Sequence, residues 1–142
     1  MRTDAEATMQ LTSRYRFAAS HRLNTCSLSP QENARLYGKC NNPHGHGHDY
    51  ILDVTVEGPV DDAGQIVNRG ALDALVASRV LKQVDHRDLN SEVPELAGQV
   101  TTTENLAFAV ERMLKSEWTL PARLARVRIA ETARNAFELK TS

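Results

Sequence analysis

Cysteine, proline, glycine and aromatic residues are all scarce in this chain of 142 residues, which holds two, five and seven of the first three and 5% aromatics. Two thiols, Cys26 and Cys40, are too few for a disulfide framework. A reducing, cytoplasmic setting is therefore expected, and it leaves a thiol free for chemistry. An excess of charge of one sign is missing too: 17 Lys and Arg stand against 18 Asp and Glu, a formal net charge of -1. That removes the electrostatic case for a nucleic-acid or anionic-membrane partner. No apolar run approaches the roughly 18–20 residues that span a bilayer. The first dozen residues lack the charged-then-apolar order of a secretory signal. Without repeats, low-complexity tracts or Pro/Gly-rich linkers, one domain over residues 13–142 is expected, preceded by a flexible segment over 1–12.

What the chain does contain is organised by alternation. From Arg14 to His21, every second residue (Tyr15, Phe17, Ala19, His21) falls on one side of a predicted strand. Residues 23–43 read as a polar loop with a short helix at Pro30–Tyr37. A second strand is predicted from about His46 to Val56, with His46, His48, Tyr50, Leu52, Val54 and Val56 on one face. Asp49, Asp53, Thr55 and Glu57 on the other mostly face water. A turn over 59–64 leads to a third short strand, Gln65–Val67. Asn68 suits the N-cap of a helix to about Val84, with Leu72, Leu75, Val76 and Val80 in one stripe. Thr101-x-x-Glu104 reads as a capping box opening a second helix that buries Leu106, Ala107, Val110 and Leu114. Leu124–Glu131 and Ala136–Leu139 close as a hairpin. The order predicts an α+β fold: an antiparallel four-stranded sheet with two helices on one face. The other face, and a site built on it, then needs a neighbouring subunit.

Chemistry concentrates in Cys40-Asn-Asn-Pro-His44-Gly-His46-Gly-His48. Strand positions two apart project from the same face about 6.6–7 Å apart, so His46 and His48 can converge on one cation. Three imidazoles plus an open position form a common catalytic zinc arrangement. His21, ending an apolar-alternating strand, is the candidate third ligand. His44 is the awkward extra member, and the whole tract also reads as surface-loop histidines. Cys40 is the candidate nucleophile or base, its thiol expected to be acidified by Lys39 and a nearby cation; buried small hydrophobe is the alternative. Asp85-His86 suggests a carboxylate-oriented imidazole for proton transfer, or a solvated turn. Glu131 continues the inward stripe Ala125, Val127, Ile129. A carboxylate there must be paired, or must anchor a ligand with two adjacent N–H donors, as a pterin has, unless the strand ends first. Glu104 is a second such candidate.

Five segments together resemble the 6-pyruvoyl-tetrahydropterin synthase family: Phe17–Leu23, Tyr37–Tyr50, Val84–Asn90, Thr101–Leu106 and Ile129–Thr132, in the family's order and spacing. The resemblance implies a tunnelling fold whose barrel is completed by oligomerisation, with trimers stacked into a homohexamer. It implies a zinc-dependent lyase acting on 7,8-dihydroneopterin triphosphate, eliminating triphosphate with internal movement of side-chain hydrogens. Position by position it implies Zn2+ on His21, His46 and His48, Cys40 as the base, and Asp85 with His86 as the proton-donating partner. Glu131, Thr102, Thr103 and Glu104 would hold the pterin, some of them from a neighbouring subunit. His44 stands where animal-type members tend to have Asn, and Ala133 where an acidic residue is common. The Cys40-to-His46 interval is the longer, animal-like one. The alternatives are 6-carboxy-tetrahydropterin synthase of queuosine biosynthesis on the same substrate, a non-catalytic metal or pterin-binding module, and a zinc hydrolase. The thiol at position 40 argues against an aldolase-like relative.

Overall fold

The computed structural model describes residues 3–4 and 6–141. Its centre is a five-stranded sheet in the order β3-β1-β2-β4-β5. Strands β1 (Met9–His21) and β2 (His46–Gly58) are both 13 residues long and pair antiparallel from Met9↔Gly58 to His21↔His46. β4 (Arg123–Ala130) runs antiparallel to β2, with a register shift between Thr55 and Val56, and β5 (Ala136–Lys140) antiparallel to β4. Two residues, Arg87–Asp88, form β3 and run parallel to β1 at Ala19 and Ser20.

Helix α1 is Pro30–Tyr37; its Ser29–Glu32 capping box and the Pro at its first position account for the start. α2 (Arg69–Val76) begins as expected, with the Asn68 side chain accepting from the Ala71 N–H. It continues through a π-helical turn, Ala77–Leu81, into a last turn, α3 (Lys82–Val84). α4 spans Thr103–Lys115. These helices bury Leu72, Val76, Val80, Leu106, Val110 and Leu114 against Phe17, Tyr50, Leu52, Val54, Val127 and Ile129 of one sheet face. Each such side chain, once buried, contributes about 1.5–3 kcal/mol of transfer free energy. Among the described residues no helix is long and apolar enough to cross a membrane.

The structure departs from the sequence reading in five places. The sheet has five strands rather than four, because Arg87–Asp88 add a short strand that runs parallel to β1. β1 starts at Met9 rather than Arg14, because Met9–Ser13 pair with the far half of β2. Gln65–Val67 is no strand: the Asp61 carboxylate accepts from the Ala63 and Gln65 N–H groups, and Asp61 N–H donates to the Gln65 carbonyl, which closes the segment into a turn. The helix N-cap is Thr102, not Thr101; the Thr102 hydroxyl accepts from Asn105 N–H, and with Asn105 rather than Glu at the third helical position no reciprocal box forms. Glu104 is left exposed. Asp53 and Thr55 do not face water, being only 6% and 3% exposed. Arg14 grips the Asp53 carboxylate at 2.9 and 3.1 Å, Arg128 approaches it at 3.4 Å, and the Thr12 and Thr55 hydroxyls share a hydrogen bond.

The second sheet face is therefore polar and internally paired, while both outer strands keep free edges. Among the described residues β3 pairs with β1 only at Ala19 and Ser20, and β5 pairs only with β4. Such edges are templates for further strand pairing, the device by which copies of an open sheet close a barrel.

Candidate metal centre

Register alone puts three histidines on one face at the end of the β1–β2 pair. His21 lies directly opposite His46, and Ala19 opposite His48, so His21 and His48 are diagonal neighbours. Glu131 follows the last pair of β4 with β2, Ala130↔Ile51, and continues the face that carries Ile129 opposite Leu52. Cys40 comes from a 3-10 turn, Gly38–Asn41, that follows α1. This turn is zipped to the segment after His21: Leu23 N–H donates to the Cys40 carbonyl at 2.6 Å, Arg22 Nε to the Asn41 carbonyl at 3.2 Å, and Asn41 Nδ2 to the Leu23 carbonyl at 2.7 Å.

His21, Cys40, His48 and Glu131 each offer one donor atom, and the four atoms lie within 4.8 Å of one another. His48 Nε2 is 3.1 Å from His21 Nε2, 3.0 Å from Glu131 Oε1 and 3.9 Å from Cys40 Sγ. His21 Nε2 is 3.6 Å from the same Glu131 oxygen. Tetrahedral zinc at ordinary bond lengths separates two ligand nitrogens by about 3.3 Å and a nitrogen from a thiolate by about 3.6 Å. The donor set fits such an ion in spacing and in chemistry.

Tautomer and charge agree. His21, only 1% exposed, donates Nδ1–H to the Thr101 carbonyl at 2.8 Å, which leaves the Nε2 lone pair aimed into the cluster. Burial pushes the pKa of His21 and of His48 down, outweighing the Thr101 carbonyl and then Glu131 at His21 and Glu131 at His48, so both rings favour the neutral form that binds metal. Cys40 goes the other way: burial first, then the Glu131 charge, pushes its thiol up. Lys39, expected to acidify the thiol, is exposed to solvent and is not among the groups that shift it.

His46 stands beside His48, ring centroids 4.6 Å apart, but its nitrogens are outside the four-donor group. Glu131, expected from its stripe to need a partner, finds it in His48 and stands among the donors. Tyr50 carried no functional signal beyond its place on the strand face. Its ring stacks on Phe17 at 4.9 Å and meets His48 and His21 edge-on at 5.5 and 6.4 Å, while its buried hydroxyl has no hydrogen-bond partner among the described residues. Burial, then the charges of Glu131 and Cys40, raises its pKa and keeps its proton on.

Asp85 and His86 do touch, Oδ1 to Nδ1 at 3.0 Å, and both are pinned to β1. Ala18 N–H donates to Asp85 Oδ1 and His86 N–H to the Ala18 carbonyl. His86 takes φ +58°, a costly left-handed conformation for a non-glycine residue. It lines a cavity of about 440 Å³ with Ala18, Ser20, Gly47 and Asp49, and Ala19 and His48 border the same cavity. The first four alternate with His21 and His48 along the strands and so face the opposite side of the sheet. Among the described residues no hydrogen bond or ion pair joins Asp85 or His86 to the four donors, although His48 borders the cavity that His86 lines. Of the threonines, Thr102 caps α4 and Thr101 reaches the cluster only through its carbonyl; among the described residues the buried hydroxyls of Thr101 and Thr103 have no partner.

Comparison with known proteins identifies the family and the fold. The family model described as 6-pyruvoyl tetrahydropterin synthase matches residues 10–142. The chain is 41% identical over 133 residues to 6-pyruvoyl tetrahydrobiopterin synthase of Homo sapiens, covering 92% of this chain and 90% of that one. To the protein of the same name from Drosophila melanogaster it is 40% identical over 131 residues, covering 92% and 78%. The structure of the Caenorhabditis elegans 6-pyruvoyl tetrahydropterin synthase superposes with a TM-score of 0.89 at 38% identity, covering 96% and 97% of the two chains. The segments that hold Cys40, the histidines and Glu131 all lie inside the matched span, and the chain belongs to the 6-pyruvoyl tetrahydropterin synthase family.

Proposed function

We propose that this protein is a zinc-dependent lyase that converts 7,8-dihydroneopterin triphosphate to 6-pyruvoyl-tetrahydropterin with elimination of triphosphate. The observation that carries the reading is the gathering of the Cys40 sulfur with two imidazole nitrogens and a carboxylate oxygen within 4.8 Å. His21 and His48 hold the ion, with His46 as the third histidine and Glu131 in reach. The ion, when bound, polarises the substrate's side-chain oxygens and acidifies the adjacent C–H bonds.

The chain's own groups do the rest. Cys40, placed by the zipper to Leu23, takes the side-chain proton as its thiolate. Glu131, its side chain 15% exposed, offers a carboxylate that accepts from the paired N–H donors of the pterin edge. The exposed His86, oriented by Asp85, returns a proton. Because the pair sits over the opposite side of the sheet, it acts on a neighbouring chain's Cys40, and Thr102, Thr103 and Glu104 likewise belong to an interface. The free edges of β1 and β5 support a closed oligomer, a homohexamer by family resemblance. No external oxidant is needed, since the triphosphate leaves with its electron pair and the remaining hydrogens are redistributed between side chain and ring. A cytoplasmic location goes with this chemistry.

The test is incubation of zinc-loaded protein with dihydroneopterin triphosphate, followed by mass spectrometry. A pyruvoyl product supports the reading; a carboxy product with acetaldehyde selects the queuosine-type reaction; no turnover leaves a binding module. Cys40→Ala is expected to keep its zinc and lose turnover by at least about a hundredfold, in line with removal of a positioned base.

A further inference from the structure

We infer that the buried Tyr50 hydroxyl is a positioning donor for Glu131, taking up its carboxylate when a cation claims the histidine nitrogen that Glu131 otherwise faces. This deepens the proposed function and rests on it, since Glu131 is there the anchor for the pterin edge.

Tyr50 is 1% exposed, and among the described residues its hydroxyl has no partner. Its ring is held in place. It lies on Phe17 with the ring planes 16° apart, and the rings of His48 and His21 meet it edge-on. A donor fixed in this way is satisfied only by an acceptor that comes to it. Phenylalanine would fill the same space without the orphan, so in the metal-free fold the hydroxyl only costs stability.

Glu131 is the acceptor with the complementary need. Among the described residues its carboxylate meets only His48 Nε2, at 3.0 Å, and His21 Nε2, at 3.6 Å. His21 donates its ring proton to the Thr101 carbonyl, so the proton that Glu131 accepts belongs to His48 Nε2. Those two nitrogens are the ones a cation in this cluster would take. A metal-bound nitrogen has no proton to donate. Loading the centre therefore removes the hydrogen bond the carboxylate has, and a side chain only 15% exposed has little water to replace it.

Register places the two groups side by side. Leu52 pairs with Ile129 and Ile51 with Ala130. The next step along the same ladder sets Tyr50 against Glu131, both on the face that carries His48. Residues so opposed have their β-carbons about 4.5–5.5 Å apart. The Glu131 charge already acts on the phenol and helps to keep its proton on. With one carboxylate oxygen held by the Tyr50 hydroxyl, the carboxylate is fixed in direction, and its remaining lone pairs accept the paired N–H donors of a pterin. Tyr50 itself touches neither pterin nor cation; it acts through Glu131.

Two measurements on the whole chain test this. The first is the affinity of zinc-loaded protein for neopterin, a stable fluorescent pterin. Tyr50→Phe is expected to keep its zinc and to bind neopterin at least about tenfold more weakly, the size of a lost hydrogen bond to a charged group, while its metal-free melting point does not fall. A merely structural tyrosine would show the reverse, a lower melting point with neopterin affinity intact. The second needs no pterin: the infrared difference between zinc-loaded and metal-free protein carrying isotope-labelled tyrosine. Wild type should gain the band of a protonated, hydrogen-bonded phenol, and Tyr50→Phe and Glu131→Ala should each abolish it. Should Tyr50→Phe lose affinity and also melt lower, this band decides. The inference is overturned if Tyr50→Phe binds neopterin within about twofold of wild type, if it loses zinc, or if the band is absent from wild type or survives in Glu131→Ala. If wild type binds no neopterin but shows the band, the pterin reading falls while the Tyr50–Glu131 pair stands; if both are missing, both fall.

Discussion

His21 and Thr101, eighty residues apart in the chain, are joined by a 2.8 Å hydrogen bond from the imidazole Nδ1 to the main-chain carbonyl. Thr101 is thus not the helix cap it resembles: its carbonyl is turned to the His21 ring, and the cap is Thr102, with α4 starting at Thr103. It also fixes which nitrogen of His21 is free. A main-chain carbonyl cannot be deleted by substitution, so the tautomer survives any change of side chain at 101.

His21→Ala should therefore lose metal while Thr101→Val keeps it. Zinc content by elemental mass spectrometry is expected to fall to near zero in His21→Ala and in His48→Ala, and to stay near wild type in Thr101→Val and Asp85→Asn. Retention of tightly bound zinc in both histidine variants would dismantle the centre described above.

Tyr50 supplies a stability prediction of unusual sign. Its hydroxyl is buried without a partner, and an unsatisfied buried polar group costs about 1–3 kcal/mol. Tyr50→Phe removes the cost and keeps the stack on Phe17 and the edges to His21 and His48. The metal-free variant is expected to melt at the same temperature as wild type or a few degrees higher in scanning calorimetry. A clear fall would mean that the hydroxyl is satisfied in solution.

Much of this was legible in the sequence, for reasons that can be named. Period-two alternation marked both long strands and the face carrying His21, His46, His48 and Tyr50, because one side of an antiparallel sheet must be apolar. Asn68 and Pro30 marked helix starts through local hydrogen bonding. Glu131 stood out because a carboxylate on an apolar stripe demands a partner. What stayed hidden was non-local. Nothing near Asp53 says that Arg14 and Arg128 will close over it, and nothing near Thr101 says that its carbonyl is claimed by His21. Alternation places His46 and His48 equally well on the face. The choice of Cys40 and Glu131 as close donors depends on how the turn after α1 and the end of β4 fold over that face.

The histidine shifts fix the direction of a pH dependence in metal-free protein. Burial lowers the folded-state pKa of His21 and His48 below the ordinary value near 6.5. Above that value both forms of the protein hold neutral rings and no penalty arises. As pH falls from about 6.5 towards the lowered folded pKa, the unfolded chain takes up protons that the folded chain refuses, and stability drops. Urea midpoints should be flat between pH 7 and 8 and decline below about 6.5. Zinc affinity is expected to decline over the same interval, because protons compete for the same nitrogens. His48→Gln should flatten part of the decline in the metal-free protein; an unchanged slope in that variant would show that other groups set it.

The placement of Asp85–His86 across the sheet from the cluster yields a test that a single-chain site would fail. Cys40→Ala and His86→Ala are each expected to be inactive when pure. If His86 of one chain serves Cys40 of another, co-refolding the two variants creates interfaces that combine an intact Cys40 with an intact His86, and turnover returns. If one chain supplies both groups, every chain in the mixture carries a defect and the mixture stays as inactive as its components. Both variants should keep zinc, since neither Cys40 nor His86 is needed while His21, His48 and the neighbouring donors remain. Zinc content of the mixture therefore separates a failed complementation from a failed refolding. Restored turnover would also require that the free edges of β1 and β5 are covered by neighbouring chains, because only an assembled protein can bring the two faces of different sheets together.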